Sequence, residues 1–349
     1  MIKSWSETEI IEVLSSKDTK TLKKLLEAAN RCRRDSIGDR VYFRGLIEFS
    51  NQCDRNCFYC GIRKDNRHIS RYRLDSNEIV TAALLAFRSG FHSVALQSGE
   101  VDSPEQVNFV ADVVKLIKEH SQIQDPNGKG LGITLSMGEL SYQQYKQLWD
   151  AGAHRYLLRI ETSDSQLFKS LHPPAQSYTR RVECLTALKD IGFQVGTGVM
   201  IGLPGQNFEH LAGDLKFFLD RDIDMLGMGP YIPHHNTPMF RSSRDVYLDP
   251  FDASLKMLAL ARLLMPDINM VASTALQTIS PLGLELGLKA GANVVMPILT
   301  PEINRRQYRL YENKQFKAVS QLSQEIKHSG FTVGLWEWGD SPHYRKRMA

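Results

Sequence analysis

Between residues 41 and 298, eight β-type segments alternate with seven helical ones, and no other feature of the sequence restricts the fold as strongly. The β-type segments run over 41–49, 92–97, 131–136, 155–160, 194–201, 224–229, 269–274 and 293–298. Helical periodicity fills the intervals at 76–89, 104–120, 142–151, 178–191, 208–220, 252–264 and 282–290. Parallel strands require such crossovers, because a tight turn only reverses the chain. Glycine-bearing turns stand just before strands at Ser89-Gly90, Ala151-Gly152-Ala153, Ile191-Gly192 and Ala290-Gly291-Ala292, where helices would end. The pattern predicts an α/β chain folded as a (β/α)8 TIM-type barrel. A doubly wound open sheet is the competing architecture, since periodicity does not show closure.

Outside the alternation, residues 1–40 read as an N-terminal helical extension, with Ile10, Val13 and Leu14 on one apolar stripe. Leu22, Leu25, Leu26 and Ala29 form a second stripe behind the capping residue Asp18. The barrel is expected over 41–312, with a surface turn at 122–130, and a C-terminal helix and tail over 313–349, the helix at 316–329.

Charge and hydropathy narrow the class of molecule. The 43 basic and 39 acidic residues leave a formal charge of +4, too small and too mixed for a nucleic-acid binder. The basic run His343-Tyr344-Arg345-Lys346-Arg347 reads as a solvated terminus. Residues 1–12 lack the basic and apolar regions of a secretory signal, and no apolar run is long enough to span a membrane. A cytoplasmic protein with no membrane or nucleic-acid partner is expected.

Three of the five cysteines, Cys53, Cys57 and Cys60, form a C-x3-C-x2-C run directly after the first strand. An odd total clustered in this way is metal chemistry rather than a disulfide framework. Zinc would need a fourth ligand, and Cys32 and Cys184 lie in helical patterns elsewhere. A [4Fe–4S] cluster held by three thiolates would leave one iron open to a small molecule. His234-His235, in a proline-containing loop, is assigned no role.

The cysteine run, with Tyr59 in its aromatic slot, resembles the signature of the radical S-adenosylmethionine (SAM) superfamily. Longer runs are similar to the [FeFe]-hydrogenase maturase HydE family. They include Tyr59-Cys60-Gly61-Ile62-Arg63-Lys64-Asp65-Asn66, Leu96-Gln97-Ser98-Gly99-Glu100 and Thr134-Leu135-Ser136-Met137-Gly138-Glu139. Arg155-Tyr156-Leu157-Leu158-Arg159, Gly202-Leu203-Pro204-Gly205-Gln206 and Gly229-Pro230-Tyr231-Ile232-Pro233-His234 extend the likeness. The resemblance implies one [4Fe–4S] cluster on Cys53, Cys57 and Cys60, and SAM cleaved reductively to a 5′-deoxyadenosyl radical. It implies SAM contacts from Tyr59, Ser98, Gly99, Glu100, Ser136, Glu161 and Arg181, with Arg180 the rival for the last position.

For the substrate, the resemblance implies Gln97, Thr134, Arg155, Arg159, Ser273, Thr274, Tyr308 and Tyr311. Arg155 and Arg159 lie four apart on one strand and share a face, and two inward arginines are costly unless an anion meets them. Barrel carboxylates would serve as that anion as well as a substrate carboxylate would. The implied substrate is a small organometallic molecule, a cysteine-bound iron complex with two carbonyls and a cyanide, Fe(CO)2(CN), supplied by a partner maturase. The implied reductant is a one-electron donor protein. Two features depart from relatives: no cysteine follows Tyr311, and Ile160 stands where a relative can carry histidine. A methylornithine synthase-like lysine mutase and a non-catalytic iron–sulfur carrier are the alternatives.

Overall fold

The computed structural model describes residues 5–244 and 246–349; residues 1–4, at the start of the expected N-terminal extension, lie outside that range. Seven parallel strands form one curled sheet: β1 (Gly45–Ser50), β2 (Ser93–Ser98), β3 (Gly132–Ser136), β4 (Arg155–Leu157), β5 (Gln194–Thr197), β6 (Met225–Leu226) and β7 (Asn269–Met270). They pair in chain order, each with the next. An eighth, β8 (Val294–Val295), spans the seam. On one side Asn293 N–H donates to Met270 O and Ala272 N–H to Val294 O, both at 2.9 Å. On the other, β8 pairs with the strand Arg40–Phe43 that leads into β1, and Leu46 N–H donates to Pro297 O at 2.8 Å. The ring is thereby closed and the open-sheet alternative set aside.

The intervening helices begin where their sequences supply caps. Asp75 with Glu78, Ser141 with Gln144 and Asn207 with His210 form reciprocal capping boxes. Helix Tyr178–Ile191 ends at Gly192, whose φ of 109° suits a residue without a side chain. Two expectations shift in detail. The helix expected to end at 120 runs to Gln124, where Asp125 accepts three N–H groups of the following turn. The strand expected over 194–201 breaks after Thr197, because Gly198 passes against Gly227; a Cβ on Gly198 would stand 2.2 Å from Gly227 O. Above the break, Met200–Ile201 and Gly229–Pro230 form a short ladder at the barrel mouth.

The termini wrap the barrel. Helices Glu7–Ser15 and Thr19–Ile37 lie on helix Pro250–Leu264, whose buried Lys256 donates to Leu14 O at 3.2 Å. The C-terminal segment crosses the end of the barrel where the strands start. Gly339 O accepts from Arg44 Nη2 and Asn269 Nδ2, and Trp338 Nε1 donates to Gly130 O at 2.7 Å. The basic tail is therefore not a free solvated terminus. His343 contacts Asp222 and Asp267, Lys346 contacts Asp267, and Arg347 reaches the buried Asp224 at 2.7 Å.

This plug also corrects the expectation for Arg155. Its side chain is fully buried at the start of β4, far below the mouth, and every guanidinium nitrogen is used. Nε and Nη2 reach Asp340 Oδ1 at 3.0 and 2.5 Å, Nη2 also reaches Trp338 O, and Nη1 donates to Ser93 Oγ at 2.8 Å. The anion that meets Arg155 is a carboxylate of the chain's own tail.

Candidate cluster and cofactor site

The strand ends converge on one cavity. It is lined by Cys53, Cys57, Cys60 and Tyr59 from the loop after β1, by Gln97, Ser98, Gly99 and Glu100 after β2, and by Ser136 at the end of β3. Arg159 and Glu161 follow β4, Arg181 comes from helix Tyr178–Ile191, and Ser273, Tyr308 and Tyr311 close the far wall. Three expected residues stand elsewhere. Arg155 is at the floor. Thr134 lies on the inward face of β3 one layer below Ser136, with its buried Oγ1 unpartnered. Thr274 opens the helix Thr274–Ile279 beside the cavity, which its neighbours Ser273 and Ala275 line instead.

The cysteine loop is built around Arg71, whose guanidinium donates to the carbonyls of Asn51, Ile62, Arg63, Lys64 and Asn66. Asn66 Nδ2 donates to Gly61 O at 2.6 Å. All three thiols are free and unbridged. Burial pushes the Cys57 thiol up to about 11, opposed by a contact to Gln176 Oε1 at 3.4 Å, and it raises Cys53 and Cys60 as well. Thiols so placed remain protonated until a metal takes the proton's place.

Beside them, charge is arranged in arginine–carboxylate pairs. Arg55 Nε meets Glu100 Oε1 at 2.5 Å, and Arg181 Nε meets Glu139 Oε1 at 2.5 Å while its Nη1 reaches Arg159 O. Burial alone would lower Arg181, but Glu139 and Glu100 outweigh it and hold the guanidinium charged. Burial raises Glu100, against the pull of Arg181 and Arg55. Arg180, the rival, is exposed and donates to Leu140 O outside the cavity lining.

Arg159 Nη2 lies 3.0 Å from Glu161 Oε2 but out of hydrogen-bond alignment, so Arg159 Nε, Nη2 and Glu161 Oε2 are buried without partners. Glu161 itself sits at φ 69°, a conformation costly for a residue with a side chain and tolerated where a site over-determines it. Tyr59 O–H approaches His172 Nε2 at 3.3 Å, and His172 Nδ1 is 2.8 Å from Phe168 O. Burial lowers His172 to about 4, which keeps the ring neutral.

Arg55, Gly138, Glu139, His172 and Gln176 join the site without being among the residues expected there. Glu139 and Gly138 fall within a quoted run, and the signal for them was their place at the end of β3. Gln176 and His172 come from the loop before Arg181 and carried no sequence signal. Met200, buried among Leu203, Tyr231 and Met239, also lines the cavity.

Comparison with known proteins gives this geometry a family. Residues 47–218 match the radical SAM superfamily. The [FeFe] hydrogenase maturase subunit HydE of Thermotoga maritima is 43% identical over 303 residues, 87% of this chain and 83% of that one. The chain belongs to the HydE family of radical SAM enzymes. The 3-methylornithine synthase of Methanosarcina barkeri is 30% identical over 302 residues, 85% of this chain and 80% of that one. Among solved structures, methylornithine synthase superposes with a TM-score of 0.81 at 25% identity, covering 96% of this chain and 95% of that one. The hydrogenase maturase HydG superposes with a TM-score of 0.80 at 18% identity, covering 98% and 75%, a likeness of fold alone.

Enzymes of the HydE family use a [4Fe–4S] cluster and SAM, and the residues present fit both. Three unbridged thiols on one loop are a cluster donor set with an iron left open. Close approach is possible at Gly99, where a Cβ would collide with Gln52 O at 2.1 Å, and at Gly138, where it would meet the Glu100 carboxylate at 2.2 Å. The unpartnered atoms of Arg159, Glu161 and Gln176 offer donors and acceptors to a polar ligand. No helix among the described residues is long and apolar enough to cross a membrane.

Proposed function

We propose that this radical SAM enzyme acts on a cysteine-bound Fe(CO)2(CN) complex during assembly of a hydrogenase diiron site. The observation that carries this reading is the 43% identity to HydE across 87% of the chain. A partner maturase that supplies the complex and a one-electron donor protein complete it. In this reading Cys53, Cys57 and Cys60 hold the cluster. Ser98, Gly99, Glu100 and Ser136 surround the amino-acid end of SAM, Arg181 faces its carboxylate, Glu161 its ribose hydroxyls, and the Tyr59 backbone its adenine. When bound, cluster and SAM together supply a 5′-deoxyadenosyl radical after one-electron reduction.

The chain's own residues aim and protect that chemistry. Leu157, Leu158, Met200, Ile232 and Leu310 make an apolar wall that excludes water from the space between SAM and substrate. Arg159, with donors to spare, anchors the substrate carboxylate, and Gln97, Ser273, Tyr308 and Tyr311 line the same end. Thr134, with its orphan hydroxyl, stands below them. The likeness to methylornithine synthase favours a lysine mutase as second reading. Against it, Glu100 and Glu161 are the only carboxylates lining the cavity among the described residues, and each faces an arginine. In this reading both are engaged by SAM, which leaves no cavity carboxylate for a distant ammonium.

Anaerobic reconstitution followed by EPR tests the reading. A reduced-cluster signal that changes on adding SAM and is absent in Cys57→Ala, with 5′-deoxyadenosine formed, is expected. Wild-type protein that binds the iron complex, and an Arg159→Ala variant that loses it, would support the substrate. Consumption of lysine would move the assignment to the mutase, and absence of 5′-deoxyadenosine would leave an iron–sulfur carrier.

A further inference from the structure

Outside the cavity, one cluster of potential metal ligands is absorbed by nothing described so far. His234, His235 and Glu312 each bring a ligand atom within 4.8 Å of the others. They come from two separate mouth segments, the loop after Gly229–Pro230 and the chain after Tyr311. The segments are joined by Glu312 N–H to Pro233 O at 3.3 Å and His235 N–H to Glu312 Oε1 at 3.3 Å. The two imidazoles stack at 4.9 Å with their planes 18° apart.

An ordinary His–Glu hydrogen bond accounts for only half of this arrangement. His235 Nδ1 contacts Glu312 Oε1 and can donate to it. His234 Nδ1 cannot, because it accepts the N–H of Asn236 at 3.1 Å and is therefore unprotonated. Its lone-pair side nevertheless lies 3.7 Å from the same carboxylate oxygen, on a ring that is 2% exposed. Two electron-rich atoms face one another where a cation would satisfy both.

We propose that His234, His235 and Glu312 bind one divalent first-row transition ion of the zinc or ferrous type, separate from the cysteine cluster. Two imidazole nitrogens and a carboxylate are the donor set such ions take, with the remaining positions left for water. Binding replaces the Asn236 N–H contact at His234 Nδ1, and the proton of His235 Nδ1 moves through solvent to the free Nε2 of the same ring, so the imidazole stays neutral and no proton is lost. The bound ion ties the loop after Gly229–Pro230 to the segment carrying Tyr308, Leu310 and Tyr311. The opposite edge of the His234 ring packs on the cysteine loop: a Cβ on Gly61 would stand 2.9 Å from His234 Nε2, and Gly61 N–H donates to Leu310 O at 2.9 Å. The ion therefore braces the rim of the cavity without entering it.

Calorimetric titration of the cluster-loaded protein with Zn2+, and anaerobically with Fe2+, tests this. The expected result is one ion per chain beyond the cluster iron, with affinity falling at least ~100-fold in His235→Ala and in Glu312→Gln. Both side chains reach solvent, so these variants are expected to keep their fold and an unchanged cluster EPR signal. Stoichiometry and affinity unchanged in both variants, or no ion retained by the wild type, would overturn the proposal. The titration and the EPR signal are read without SAM or substrate, so the result stands apart from the proposed reaction.

Discussion

Arg155 and Arg159 are four residues apart on one segment, yet one seals the floor of the barrel and the other faces the cavity at its mouth. At the floor, Arg155 is fully buried with every guanidinium nitrogen spent on Asp340, Trp338, Gln194 and Ser93. At the mouth, Arg159 keeps Nε and Nη2 unpartnered beside a misaligned Glu161. Both ends bury arginine–carboxylate pairs. The floor completes its network with the chain's own tail and gains rigidity. The mouth leaves donors and acceptors incomplete, which costs stability and keeps them available to a ligand.

The comparison is most easily broken at the floor. Arg155→Met should strand Asp340 as a buried carboxylate without its cation and cost about 3–5 kcal/mol. Thermal melting should show a fall in Tm on the order of 10 °C, with SAM affinity in the folded fraction unchanged. An equal loss of SAM binding would erase the distinction between the two ends.

The mouth should respond the other way. Arg159→Ala should shift stability by less than about 1 kcal/mol, while substrate affinity drops roughly 10- to 100-fold in equilibrium binding. Glu161→Gly should lose SAM affinity without losing stability, since glycine adopts a φ of 69° freely. A lower Tm in Glu161→Gly would mean that its side chain holds the fold rather than the ligand.

A pH slope set by His154, which stacks on Trp338 and lies 3.1 Å from Asp340, tests the floor from another side. Burial, reinforced by Arg155, lowers its folded value to about 3. In the unfolded chain a histidine takes its proton near 6.5, so between those values the unfolded state binds more protons. Stability should therefore be fully present above pH 6.5 and fall as pH drops toward 4. Replacing His154 with Asn should flatten the slope in melts across that window, whatever it does to the absolute Tm.

Much of this was legible in the chain. Helix caps such as Asp75 with Glu78 and stops such as Gly192 are local, set by residues three or four apart, so the βα steps could be read without a structure. The cysteine loop was legible for the same reason, since its three thiols lie within eight residues. Glu100, Ser136 and Glu161 were found because polar residues at strand ends face a barrel mouth. The misplacement of Arg155 has a simple cause. Strand parity tells which face a side chain takes but not its depth, and four residues of strand rise about 13 Å, nearly the height of the barrel.

The sequence by itself determined the order of strands and helices, the three thiols on one loop and the family, because each depends on neighbours along the chain. Tertiary structure alone decided what meets what across it. It sent Asp340 to Arg155, Glu139 to Arg181 and Glu312 to the two histidines, and it closed the ring through β8. Those pairings join residues tens to hundreds of positions apart, where charge and burial select partners that no local pattern names.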